Sequence, residues 1–304
     1  MVNMKVRIGP LELENPVIAA SGTFGYGVEF ADKLDLKKIG AFATKGLSLK
    51  KRAGNPMPRI CETPAGMINS IGLENVGIDA FESEKLPLIR KTGAKVIANF
   101  FGETLDEYVE AAKRLDAMDG VHALEMNVSC PNVEKGGIEF GSDPSFLEKL
   151  TGAVKKGLRT PLIVKLSPNV ADIRPFAKAV ENGGADSISA INTLKGMSIN
   201  VKTRTPKIKR VFGGLSGPAI RPVAVRMVYE CAKTVKIPII GLGGISSLED
   251  ALEFLIAGAA AVQVGTMNFV EPSICARLVD ELSAWCAAEE IDDLDTVIGS
   301  LKID

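Results

Sequence analysis

Asn127-Val128-Ser129-Cys130-Pro131-Asn132 sets a lone thiol between carboxamides, directly after the apolar run Ala123-Leu124-Glu125-Met126. A free thiol with a pKa of about 8.5 can take a proton from a weakly acidic C–H when a closed polar loop orients it. A buried structural cysteine is the competing reading, and Lys135-Gly136-Gly137 weighs against it, because a glycine pair suits a loop that moves. Cys61, Cys231, Cys275 and Cys286 keep the structural reading, the last three lying in or near helices.

Such a loop needs a scaffold, and short runs rich in Val, Ile, Ala and Leu recur along the chain with helical stretches between them. That alternation is the pattern of βα units around a parallel sheet. Eight strands are expected at Val17–Ala20, Ala41–Thr44, Lys95–Asn99, Ala123–Asn127, Pro161–Lys165, Ser187–Ile191, Pro238–Leu242 and Ala261–Val264. Helices are expected at Thr104–Met118, Pro144–Arg159, Ala171–Asn182, Pro218–Val235 and Ser247–Ala257. Asp143-Pro144 and Gly217-Pro218 read as helix starts, Gly183-Gly184 and Gly258 as helix ends. The fold class is α/β, a single (β/α)8 TIM barrel over residues 1–304, with insertions Lys50–Gly77 and Asn192–Gly217 leaving the C-terminal face of the strands. Insertions on that face read as lid or substrate-contact segments.

Polar or glycine residues follow each strand at once: Ser21, Lys45, Asn99, Asn127, Lys165, Asn192, Gly243-Gly244 and Gly265-Thr266. Singly each is an ordinary turn residue; together they define one rim. The glycine loops after strands seven and eight suit a phosphate-bearing cofactor, which backbone N–H groups can approach closely. Lys45 and Lys165 end apolar strands, where a fixed cation stabilises an anion such as a reduced flavin ring or an enolate. A Schiff base on Lys165, in an aldolase-type reaction, is the rival chemistry.

Composition excludes several classes. The 304 residues are 46% hydrophobic and 24% charged, with a formal net charge of −1, which gives no general pull toward nucleic acid. The N-terminus lacks the charged head and apolar core of a secretory signal, and no run is long and apolar enough to span a membrane, so a cytoplasmic protein is expected. Five scattered cysteines without a C-x-x-C pair argue against disulfides, a metal site or an iron–sulfur cluster held by this chain alone. The single histidine, His122, precedes strand four and so lies at the far end of the barrel. The basic segment Lys202, Arg204, Lys207, Lys209 and Arg210 reads as a solvated loop face.

Taken together the chain resembles the dihydroorotate dehydrogenase family over nearly its whole length. The resemblance rests on Ala20-Ser21-Gly22-Thr23, Thr44-Lys45-Gly46, Asn69-Ser70-Ile71-Gly72-Leu73, Asn127 to Asn132, Asn192-Thr193, Gly214-Leu215-Ser216-Gly217, Gly243-Gly244 and Gly265-Thr266. It implies an FMN enzyme of the soluble class that oxidises (S)-dihydroorotate to orotate in pyrimidine synthesis, Cys130 removing the C5 proton while hydride passes from C6 to the flavin. It assigns the substrate to Lys45, Asn69, Ser70, Ile71, Gly72, Leu73, Asn127, Asn192 and Thr193. It assigns FMN to Ser21, Lys45, Gly46, Asn99, Asn127, Lys165, Ile191, Gly217, Gly243, Gly244, Gly265 and Thr266, with no metal. Asn192 to Met197 and Thr266-Met267-Asn268-Phe269 resemble the NAD-linked class 1B form. That form implies a partner subunit carrying FAD and a [2Fe–2S] cluster, which with the homodimer core that symmetry favours gives a heterotetramer. A fumarate-dependent class 1A enzyme remains the alternative, and a scaffold subunit without activity a more distant one.

Overall fold

The computed structural model describes residues 2–129, 131–132 and 138–303, with side chains outside 131–140. Among them the apolar runs become β1 (Val17–Ala19), β2 (Ala41–Ala43), β3 (Val96–Phe100), β4 (Ala123–Asn127), β5 (Leu162–Leu166), β6 (Ser187–Ala190), β7 (Ile239–Leu242) and β8 (Ala259–Val264). Both faces of these strands are buried almost throughout, as a parallel sheet covered by helices requires. The strands close into a barrel in chain order, β8 pairing with β1 and β4 with β5 in parallel register. The expected (β/α)8 fold is present, and each strand lies within two residues of its expected span.

Outside the barrel run α1 (Leu86–Thr92), α2 (Leu105–Asp116), α3 (Pro144–Lys155), α4 (Arg174–Asn182), α5 (Arg221–Thr234), α6 (Leu248–Ala257) and α7 (Ile274–Ala288). α2 buries Tyr108, Ala111, Ala112 and Leu115, the i, i+3, i+4, i+7 stripe that seats a helix on a sheet. Thr104 starts it by accepting the Glu107 N–H at 3.2 Å. Asp143 caps α3 as expected, accepting from the Ser145 and Phe146 N–H groups. Gly183 ends α4 in a right-handed conformation, and Gly184 takes the left-handed one at φ 84°. α1 and α7 are additions to the expected helices.

Two further elements close the barrel's ends. At the N-terminal end a hairpin of Val6–Ile8 and Leu11–Leu13 buries Ile8 and Leu13 completely. Gly9 turns it at φ 59°, where an added Cβ would lie 2.7 Å from the Asp186 side chain. At the opposite end the two insertions pair with each other. Leu194–Gly196, Gly213–Ser216, Gly66–Asn69 and Ile60–Thr63 form one antiparallel four-stranded sheet in that order. The lid segments expected separately are thus one element.

Candidate active site

The C-terminal ends of the barrel strands and the lid sheet enclose a cavity of about 480 Å³, a volume typical of small-molecule sites. Every described residue that the resemblance assigned to substrate or FMN lines it, from Ser21 after β1 to Thr266 after β8. Cys130 and the Lys135-Gly136-Gly137 segment lie outside the described residues. His122 sits before β4 at the other end, where its Nδ1 accepts the Val96 N–H at 3.1 Å.

The wall nearest Cys130 in sequence is a carboxamide cluster. Asn127 ends β4, and its Oδ1 accepts from the Ser129 N–H at 3.1 Å and from Asn192 Nδ2 at 3.2 Å. Asn192 Nδ2 also donates to Ser129 Oγ at 3.0 Å, while Asn192 Oδ1 accepts the Thr193 N–H at 2.8 Å. The Asn127 backbone is fixed from behind by Tyr108 of α2, whose hydroxyl donates to its carbonyl at 2.7 Å. The helix behind β4 therefore sets where this carboxamide stands. Asn169 holds the neighbouring lid strand at two points: its Nδ2 donates to the Thr193 carbonyl at 3.1 Å and its Oδ1 accepts the Lys195 N–H at 2.8 Å.

Lys45, half-buried, follows β2 and lines the same cavity. Burial holds its ammonium below the usual lysine range, Glu74 opposing and Arg59 adding to the shift. Arg59 and Glu74 are themselves an ion pair at the cavity wall. A partly desolvated cation beside lid carboxamides suits a planar ligand carrying a carboxylate.

The floor is polar where a barrel interior is usually filled by aliphatic side chains. Glu125 of β4 has no exposed surface and accepts from Asn99 Nδ2 of β3 at 2.6 Å and from Gln263 Nε2 of β8 at 2.8 Å. Lys165 of β5 places Nζ 3.9 Å from the same carboxylate. Neither Glu125 nor Gln263 stands out in the sequence as a site residue. An acidic residue inside an otherwise apolar strand is the signal that was available for Glu125; Gln263 carries none, since its partner is distant in the chain.

At the far side, Gly243 and Gly244 turn the chain from β7 toward α6 with φ 135° and 84°. A Cβ on Gly244 would lie 2.8 Å from the Gly217 carbonyl, and one on Gly243 2.7 Å from the Ala224 Cβ, so both positions require glycine. Thr266 Oγ1 donates to Ser216 Oγ at 2.8 Å, tying the loop after β8 to the lid. Among the described residues no cluster of His, Cys, Asp or Glu is placed to hold a metal ion, and no helix is long and apolar enough to cross a membrane.

Fold and site together define a (β/α)8 barrel with a lidded, carboxamide-lined small-molecule site at its C-terminal mouth. Residues 3–285 match the family model for dihydroorotate dehydrogenase, and the chain belongs to that family. It is 57% identical over 299 residues to the dihydroorotate dehydrogenase B (NAD(+)) catalytic subunit of Trichlorobacter lovleyi, covering 98% of both chains. To the proteins of the same description from Thermoanaerobacter sp. and Geobacter sp. it is 53% and 54% identical, covering 100% and 99% of each chain.

Proposed function

We propose that this chain is the FMN-bearing catalytic subunit of an NAD-linked dihydroorotate dehydrogenase, oxidising (S)-dihydroorotate to orotate in pyrimidine synthesis. The observation that supports it best is the lining of one cavity by every described residue that the family resemblance assigns to substrate or flavin. The residues present also suit the cofactor. Among the described residues Gln263 Oε1 is buried without a partner, an acceptor that would suit an N–H of the flavin ring. The glycine turn before α6 and the loop after β8 leave room for a phosphate against backbone N–H groups.

In this reading Asn69, Asn127, Asn192 and Thr193 hold the pyrimidine ring, with Lys45 on the carboxylate. Cys130 takes the C5 proton. Lys165, Asn99 and Gln263 meet the flavin's polar edge, and Gly217, Gly243, Gly244, Gly265 and Thr266 surround its phosphate. Bound FMN supplies the two-electron acceptor for the hydride leaving C6. The lid sheet excludes water from the reacting atoms. A partner subunit carrying FAD and a [2Fe–2S] cluster then passes electrons to NAD+, in a heterotetramer around a homodimer core within the cytoplasm. An imine-forming role for Lys165 would leave both glycine loops and the lid carboxamides without a task.

Co-purification from the native cell tests the subclass. An iron–sulfur flavoprotein should accompany the chain, and dihydroorotate should reduce NAD+ only when it is present. Efficient fumarate reduction by the isolated chain contradicts the NAD-linked assignment.

A further inference from the structure

Glu125 places a carboxyl group inside the barrel that the proposed reaction does not use. It stands on β4 in register with Asn99 of β3 and Ile163 of β5, and its partners Asn99, Lys165 and Gln263 line the cavity. Three strands aim a polar group at this one carboxylate: Asn99 Nδ2 at 2.6 Å, Gln263 Nε2 at 2.8 Å and Lys165 Nζ at 3.9 Å.

The chemistry of the acceptor fixes the donors. A carboxylate only accepts, so both carboxamides must turn their NH2 groups toward Glu125 and their oxygens away from it. Among the described residues Gln263 Oε1 is accordingly left buried with no partner, and Asn99 Oδ1 faces Gly46, where an added Cβ would lie 2.8 Å from it. At 3.9 Å the Lys165 ammonium feels the carboxylate strongly but forms no hydrogen bond to it. Its N–H groups therefore remain free of Glu125 and available at the cavity floor.

We propose that Glu125 is a positioning residue that sets the charge beneath the flavin. It offsets the Lys165 ammonium, and it orients Asn99 and Gln263 with their oxygens turned away from it, in the floor that would face the pyrimidine edge of the ring. This inference rests on the FMN assignment above. Two-electron reduction places negative charge on that edge, and a cation there favours the reduced form. A compensated cation favours it less. Glu125 thus keeps the flavin's midpoint potential lower than Lys165 alone would set it.

The test is the midpoint potential of FMN in the purified holoprotein, measured anaerobically against reference dyes. Glu125→Gln keeps the shape and removes the charge. It should raise the potential by at least the equivalent of a tenfold change in the oxidised-to-reduced ratio, about 30 mV for a two-electron couple. Glu125→Asp, which restores the charge, should return the potential most of the way. An unchanged or lowered potential in folded, FMN-bound Glu125→Gln overturns the proposal and exposes a purely structural role. Should that variant fail to fold because Lys165 is stranded, the same substitution in a Lys165→Met background must raise the potential relative to Lys165→Met alone, and equality there overturns it. A native protein that binds no FMN removes the functional assignment and this inference together. Bound FMN with an unshifted potential removes the inference only.

Discussion

Lys45 is held below the usual lysine range first by burial, with Glu74 pulling the other way and Arg59 adding to the depression. Between that lowered value and the ordinary 10.5 the unfolded chain binds more protons than the folded one, so stability rises with pH across the window. Below the window the charged amine opposes folding in full. Lys45→Met apoprotein should therefore melt above the native chain at pH 7, the gap closing as pH approaches 10.5; a gap constant over that range contradicts this account of Lys45. The cysteines divide by environment. Burial pushes Cys231 and Cys275 up to about 12, which leaves them as inert thiols, since the thiolate is the reactive form. Cys130 carries the proposed proton transfer, and Cys130→Ala should lower turnover with dihydroorotate roughly 10²- to 10⁴-fold without changing FMN content. Loss of FMN in the same variant would assign the thiol to cofactor binding instead.

At the scale of elements, the barrel strands were legible because each is buried on both faces and reads as a short apolar run ending in a polar residue. The lid sheet was not legible as a sheet. Its strands span three or four residues each, and Gly214 pairs with Asn69 across 145 residues of chain; no local periodicity records such a pairing. Its position was still readable from where the insertions leave their strands. Asn169 shows what this sheet needs from the barrel. Asn169→Ala removes both hydrogen bonds to the Thr193–Lys195 backbone and should raise KM for dihydroorotate several-fold while the bound flavin's spectrum stays the same. An unchanged KM would mean that the lid holds its place without the latch. The N-terminal hairpin works at the other end. Leu13→Ala should cost about 2–5 kcal/mol in unfolding free energy, read by denaturant titration, with FMN affinity unaffected. Glu125 offered one local signal, an acid inside an otherwise apolar strand, but its task was hidden because its partner Gln263 lies 138 residues away.

For the whole molecule, the separation of the plugged N-terminal end from the lidded C-terminal mouth places all the proposed chemistry at one opening. Binding there couples to global stability by mass action. FMN at 100 times its dissociation constant should stabilise the fold by about 2.7 kcal/mol, seen as a melting temperature that rises with added FMN; a cofactor-independent melt would place the flavin elsewhere. The net charge of −1 leaves recognition of the proposed electron-transfer partner to local surfaces rather than to a global field.

The most direct test mixes the isolated, FMN-loaded chain with (S)-dihydroorotate in the absence of oxygen and follows the yellow colour of the oxidised flavin. The account predicts rapid bleaching with one orotate formed per flavin, and retained colour without bleaching in Cys130→Ala. A native chain that carries no flavin, or whose colour survives dihydroorotate, contradicts it.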